Sequence, residues 1–277
     1  MRLGGLLFGK FDHPEQWAQA AQSAGYRAVY FPVDYRAEQS VIDGYAQAAK
    51  AADLVIAEVG VWNNTLEKDP DKREQNIQRA IRQLELADYV GANCCVNIAG
   101  SYSAQWDGPH PDNLTPKAFD EIVTITQRII DVVNPRHSAY SLEPMPFIYP
   151  DTADSYLHLI HAIDRKGFAA HLDPVNIISS PQKYYASGDV IREWFDKLGP
   201  HIRSCHAKDI TLSGKLTVHL DECRPGTGGL DYHAYLECLN RLDKDTPLML
   251  EHMHDPEDYV LASRHIRAVG KELGIEL

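Results

Sequence analysis

Apolar and polar positions follow two alternating rhythms along this chain of 277 residues. Short, nearly continuous apolar runs occur at 3–8, 28–31, 54–59, 94–98, 139–143, 169–173, 202–206 and 248–251. Runs of this length and character suit strands buried on both faces, as in a parallel sheet. Between them the apolar positions shift to helical spacing. After Thr115, the residues Phe119, Ile122, Val123, Ile129, Ile130 and Val133 line one stripe, and Pro135 ends it. Tyr232, Tyr235, Leu236, Leu239 and Leu242 form a second stripe.

Helix starts are marked as clearly as helix faces. His13-Pro14, Asp69-Pro70, Thr115-Pro116 and Asp255-Pro256 each place proline at the first helical position, behind a side chain able to cap. Gly25, Gly91, Gly199 and Gly270 are expected near helix ends, where glycine closes the last turn. Eight strand–helix alternations without a linker or composition break predict one domain over residues 1–277, a single (β/α)8 barrel. A doubly wound open sheet is the alternative, but Phe8-Gly9-Lys10-Phe11 after the first strand lacks the glycine pattern of a phosphate loop. The longest insertion, 207–230, follows the seventh strand, on the side where barrel loops build active sites.

Composition narrows the function classes. A formal net charge of -12 argues against nucleic-acid partners, which usually leave a basic footprint. No run approaches the ~20 apolar residues of a membrane span, and Met1-Arg2-Leu3-Gly4-Gly5 opens no signal-peptide pattern. Five cysteines, an odd number without CxxC spacing, predict reduced thiols in a cytoplasmic protein, with Cys94 and Cys95 as small core residues.

The candidate chemistry sits at four consecutive strand ends. These read Ser141-Leu142-Glu143-Pro144, His171-Leu172-Asp173-Pro174, Ser204-Cys205-His206-Ala207 and Met249-Leu250-Glu251-His252. A polar residue ending one buried strand often just meets solvent. Four on consecutive barrel strands are brought around one mouth. Three carboxylates and an imidazole form a hard, oxygen-rich set suited to one divalent ion, Mn²⁺ first, with Mg²⁺, Co²⁺ or Zn²⁺ also able to bind.

At these residues the chain resembles the xylose isomerase-like barrels, which include sugar isomerases, ketose 3-epimerases and inosose dehydratases. The resemblance covers nearly the whole chain. It rests on Leu142-Glu143-Pro144, Leu172-Asp173-Pro174-Val175-Asn176, His206-Ala207-Lys208-Asp209-Ile210, Pro225-Gly226-Thr227-Gly228 and Leu250-Glu251-His252. It implies that Glu143, Asp173, His206 and Glu251 are metal ligands, and that Glu143 and Glu251 also move protons through an enediolate. Many epimerase-like members carry histidine where this chain has Asn176, which hydrogen-bonds but does not titrate near neutral pH.

Further candidates carry two readings each. Lys208, two residues beyond His206, could stabilise an enediolate or bind phosphate, or could pair with Asp209 or Glu222. Arg224 resembles a substrate-contacting arginine, or is a solvated loop residue. Asn97 could contact sugar hydroxyls. Trp62, beside Asn63, could form a stacking wall or cap the barrel core. His252 and His254 read as surface residues, and His171 as a hydrogen-bonded interior histidine.

The leading function is a metal-dependent isomerase or epimerase acting on a ketose or related polyol ketone. An inosose dehydratase-type lyase sharing the first step is the runner-up. An endonuclease IV-like hydrolase would need three zinc ions; Asn63, Asn97 and Asn176 deplete that ligand set, and His219 matches it only in part. A sugar-binding barrel without turnover is the non-enzyme alternative. The expected partner is a small carbohydrate, unphosphorylated since no dedicated phosphate site is evident, and a homo-oligomer would be usual for such barrels.

Overall fold

The structure, a computed structural model, describes residues 1–277. Its strands in chain order are β1 (Arg2–Gly5), β2 (Ala28–Tyr30), β3 (Val55–Gly60), β4 (Cys94–Asn97), β5 (Tyr140–Leu142), β6 (Phe168–Leu172), β7 (Ile202–Ala207), β8 (Asp209–Ser213), β9 (His219–Cys223) and β10 (Pro247–Leu250). Eight of them close into a parallel barrel in the order β1-β10-β7-β6-β5-β4-β3-β2, while β8 and β9 pair antiparallel as a separate hairpin. Gly4 closes the ring, sitting opposite both Met249 and Ala28. No side chain fits there, because a Cβ on Gly4 would meet the Ala28 carbonyl oxygen at 2.3 Å.

The barrel strands coincide with the eight apolar runs, and their bounds shift by a few residues. The first leaves the sheet at Gly5, so Leu6 and Phe8 lie in the mouth loop with large exposed faces. Glu143, Asp173 and Glu251 fall one residue beyond their strands, whereas His206 lies inside β7.

The helices are α1 (Pro14–Ser23), α2 (Gln39–Ala51), α3 (Pro70–Val90), α4 (Pro116–Val133), α5 (Ala153–Ile163), α6 (Pro174–Ile177), α7 (Pro181–Tyr185), α8 (Ser187–Leu198), α9 (Tyr232–Leu239) and α10 (Pro256–Leu273). All four proline starts stand at the first helical turn. Asp69, Thr115 and Asp255 cap their helices through the side chain, and His13 does not. One glycine expectation needs correction, and Gly199, which does end α8, closes it without a left-handed turn. Gly270 lies inside α10, and the left-handed residue that ends this helix is Gly274, with φ of 70°. Gly199 keeps right-handed helical angles and leads into a short 3-10 turn. Neither position demands glycine's backbone, and at Gly270 the reason is room: a Cβ would press on Leu277 at 2.7 Å. No helix is long and apolar enough to cross a membrane.

Outward strand residues such as Leu3, Val29, Cys95, Leu142, Leu172, Cys205 and Leu250 join the helices in the main core. Their neighbours point into the barrel, since side chains two apart share a face. Toward the bottom that interior is small and apolar, with Ala28, Ala57 and Met249 in contact. Toward the C-terminal mouth it turns polar, through His171 on β6 with Asp173 just past it, and Ser204 and His206 on β7 with Lys208 just past it.

The 207–230 insertion is organised by one buried side chain. The Asp209 carboxylate accepts hydrogen bonds from the backbone N–H groups of Ile210, Gly226, Gly228 and Leu230 at 2.8–3.0 Å. The Pro225-Gly226-Thr227-Gly228 turn therefore wraps around Asp209. A Cβ on Gly228 would meet the Ile210 carbonyl oxygen at 2.3 Å, so the wrap requires glycine there.

Candidate metal centre

Four side chains from adjacent strand ends meet at the mouth. His206 Nδ1 lies 2.9 Å from Glu251 Oε1, 3.4 Å from Glu143 Oε2 and 3.6 Å from Asp173 Oδ2. One donor atom from each of the four residues falls within 4.8 Å of all the others. An octahedral ion held at about 2.1 Å would space neighbouring ligand atoms about 3.0 Å apart, close to these separations. Asp173 Oδ2, His206 Nδ1 and Glu251 Oε1 are buried without a well-aligned hydrogen bond, the two carboxylate oxygens facing the Lys208 ammonium and His206 Nδ1. Buried polar atoms are rarely left so. The residues present fit a divalent cation of the hard, oxygen-preferring kind, and this cluster could hold one.

Local folding explains which atoms remain free. Asp173 caps α6, so its Oδ1 accepts from the Val175 and Asn176 amides at 2.9 and 3.4 Å, leaving Oδ2 for the cluster. Glu143 continues the sheet by donating its amide to the Asn97 carbonyl at 2.8 Å. Asn176 Nδ2 donates to Glu143 Oε1 at 2.6 Å, and its Oδ1 accepts from Lys208 at 3.4 Å.

Lys208 is buried at the centre of the negative charge. Its Nζ stands 2.6 Å from Asp173 Oδ2, 2.8 Å from Glu251 Oε1 and 3.3 Å from Glu222 Oε2. Of its two expected partners, Glu222 contacts it and Asp209 serves the loop. Glu222, on β9, also meets His252 Nδ1 at 3.1 Å, which ties the hairpin to the mouth.

Burial and neighbours set the proton affinities. Burial alone would strip Lys208 and His206 of charge, but the carboxylates around them hold both well above their ordinary values. Burial also opposes ionisation of Glu251 and Asp173, yet His206 and Lys208 bring both below the usual carboxylate range. Glu143 goes the other way: burial, reinforced by the charge of Glu251, raises it. Two glutamates around one centre thus have opposed proton affinities, an arrangement suited to acid–base work.

Trp62 stands at the rim, 40% exposed, with its ring centroid 6.5 Å from that of His206. It folds back over the strand end because Gly60 has no side chain; a Cβ there would come within 2.2 Å of the indole nitrogen. Asn97 is fully buried, and its amide is engaged with Asn63 and with the Tyr140 hydroxyl. Arg224 pairs with Asp258 on α10 at 3.1 Å and makes no ion pair with the four-residue cluster. His219 is exposed on β9. His171 is buried and contacts Glu58 at 3.1 Å.

Glu58 is the residue that sequence reasoning missed. It is 1% exposed, on β3, and contacts both His171 and His206. The available signal was a lone glutamate inside an otherwise apolar strand run. A surface cavity of about 910 Å³ opens at the opposite, N-terminal end of the barrel among Arg136, Lys166, Arg203 and Arg241. The donor cluster, not cavity size, locates the chemistry.

Comparison with known proteins agrees with the barrel fold. A family model described as "Xylose isomerase-like TIM barrel" matches residues 18–269. No curated protein sequence matches. Among solved structures, a D-psicose 3-epimerase from Clostridium cellulolyticum H10, crystallised with D-tagatose, superposes with a TM-score of 0.71 at 13% identity, covering 100% of each chain. A probable 3-DHS dehydratase from Bacillus anthracis gives 0.70 at 18% identity, over 96% of this chain and 97% of that one. A magnesium-bound xylose isomerase-like barrel from Mycobacterium smegmatis gives 0.68 at 17% identity, over 95% and 90%. At such identities these likenesses establish the fold.

Proposed function

The chain belongs to the xylose isomerase-like TIM barrel family, and from that premise we propose that it is a divalent-metal-dependent sugar isomerase or epimerase. Its substrate would be a ketose or related polyol ketone, its one domain residues 1–277, and its compartment the cytoplasm. The observation that carries this reading is the placement of Glu143 and Glu251 about one atom, His206 Nδ1, at 3.4 and 2.9 Å, with opposed proton affinities.

Glu143, Asp173, His206 and Glu251 would hold the ion, Mn²⁺ best matching the donor set. Bound there, it would polarise a substrate carbonyl and the neighbouring hydroxyl, acidifying the carbon–hydrogen bond between them. One of the two glutamates takes that proton, and the other returns one to the same carbon from the opposite face for epimerisation; a return to the adjacent carbon gives the isomer. The Lys208 ammonium stabilises the negative charge that develops on the substrate oxygens of the enediolate. Asn176 orients Glu143, and Trp62 offers a stacking wall for the sugar face.

The position of Lys208 also supports a dehydratase as the second reading. Its ammonium, 2.8 Å from Glu251, could protonate a departing β-hydroxyl while the electron pair of the broken carbon–hydrogen bond becomes the new double bond. Incubation with Mn²⁺ and a panel of ketoses and inososes in D₂O separates the two. A deuterium-labelled isomer is expected, whereas a product lighter by one water assigns the dehydratase. Glu251→Gln should abolish turnover with the fold intact, and near-normal activity in that variant would remove the two-glutamate mechanism.

A further inference from the structure

The barrel interior beneath the candidate metal centre holds a second polar cluster that the proposed chemistry does not use. Its centre is Glu58 on β3. In the closed strand order β3 lies four strands from β7, so this carboxylate crosses the barrel to reach its partners. Glu58 Oε1 accepts from the Ser204 hydroxyl at 2.5 Å and lies 3.1 Å from His171 Nε2. Glu58 Oε2 lies 3.3 Å from His206 Nε2. All four residues are buried, at 0–1% exposure.

A neutral imidazole offers one lone pair, and the hydrogen bond made by its other nitrogen decides which nitrogen carries it. His206 has Nδ1 toward Glu251, Glu143 and Asp173, and Nε2 toward Glu58. With Oε1 filled by Ser204 and His171, the Glu58 carboxylate is locked in rotation and presents Oε2 to His206. The partners lie two residues before the mouth residues on the same strands: His171 before Asp173, and Ser204 before His206. The His171 ring packs edge-on against His206, with centroids 4.2 Å apart.

We propose, on the reading of Glu143, Asp173, His206 and Glu251 as a metal site, that Glu58 is a positioning residue. It fixes His206 as the Nε2–H tautomer and so presents the Nδ1 lone pair to the ion. Outer partners of this kind typically change metal affinity by about 10–100-fold when altered. The same atoms invite a rival reading, a second ion held by Glu58, His171 and His206, whose donor atoms also cluster within 4.8 Å. The Ser204 hydroxyl already donates to this carboxylate, and both imidazole nitrogens stand at direct hydrogen-bond distance from it, at 3.1 and 3.3 Å, so the geometry favours hydrogen bonding.

Calorimetric titration of the full chain with Mn²⁺, beside ¹⁵N-histidine spectra of the Mg²⁺-loaded protein, tests this. One ion should bind per chain, with His206 Nε2 protonated and Nδ1 bare of hydrogen. Glu58→Gln, whose amide puts an N–H where an acceptor is needed, should weaken Mn²⁺ binding by about 10–100-fold and mix the His206 tautomers. Unchanged affinity in a folded Glu58→Gln protein would overturn the inference and leave the metal site standing. So would a bare Nε2 in the parent, a reading that needs no variant to fold. Two ions per chain would replace the inference with the binuclear site. Failure of the parent to bind any divalent ion would remove the metal reading and this inference together.

Discussion

Lys208 Nζ lies 2.6 Å from Asp173 Oδ2, a buried ion pair at the point where the metal reading places a second cation. Lysine and ion would share the same carboxylate oxygens, so Lys208 serves the substrate while the ion is held by the four-residue cluster. Lys208→Gln should therefore lower turnover by about 10²–10⁴-fold, the usual scale for a positioned proton donor or charge stabiliser. Mn²⁺ should still bind one per chain. Loss of binding along with turnover would show instead that Lys208 supports the metal cluster itself.

Metal removal should be legible in stability. An ion that binds only the folded chain contributes about 2.7 kcal/mol at a hundredfold excess over Kd. For a barrel of this size that is roughly 5 °C in Tm. Scanning calorimetry with and without a chelator should show the drop, and Mn²⁺ in excess should restore it. A Tm indifferent to both would count against a folded-state ion.

The loop around Asp209 offers a separate test. Asp209→Ala strips four backbone N–H groups of their shared acceptor, two at the buried residues Ile210 and Leu230 and two in the exposed turn at Gly226 and Gly228. Each such group left unsatisfied costs about 1–3 kcal/mol, moderated where water can enter. The variant should lose about 2–4 kcal/mol of stability and be cleaved faster in the hairpin tip near Leu216, which is 99% exposed. Unchanged proteolysis would mean that the 225–228 turn holds itself without Asp209.

Alkali should unfold the chain through its buried phenols. Burial, with a smaller contribution from the neighbouring phenol, pushes Tyr26 up to about 12 from an ordinary 10.0. Tyr259 is likewise raised to about 12. A raised phenol favours the folded state while it is neutral. That stability is complete below pH 10.0, where the unfolded phenol also keeps its proton, and drains away as pH rises toward about 12. Absorbance at the phenolate band and circular dichroism should therefore change together. Tyr26→Phe should move the alkaline midpoint upward.

The local rhythm of the sequence determined the barrel. Apolar runs, proline starts and helical stripes are short-range patterns, and each strand run landed on its strand with small end shifts. Strand ends in a parallel barrel share one rim, so Glu143, Asp173, His206 and Glu251 could be expected together from chain order alone. The parity of strand residues likewise put His171 with Asp173 and Lys208 with His206. Contacts across the barrel had no such signature. Glu58 meets His206 only because β3 and β7 face each other in the closed ring, a separation of 148 residues along the chain. Which carboxylates Lys208 meets was likewise decided in space: Asp173 and Glu251 come to it from the two neighbouring strands, while Asp209, the next residue, turns to the loop. Gly270 was misread as a helix end for a related reason: its small size answers to Leu277, which folds back against it from the chain terminus. Sequence carries what neighbours along the chain impose, and packing across the closed barrel decided the rest.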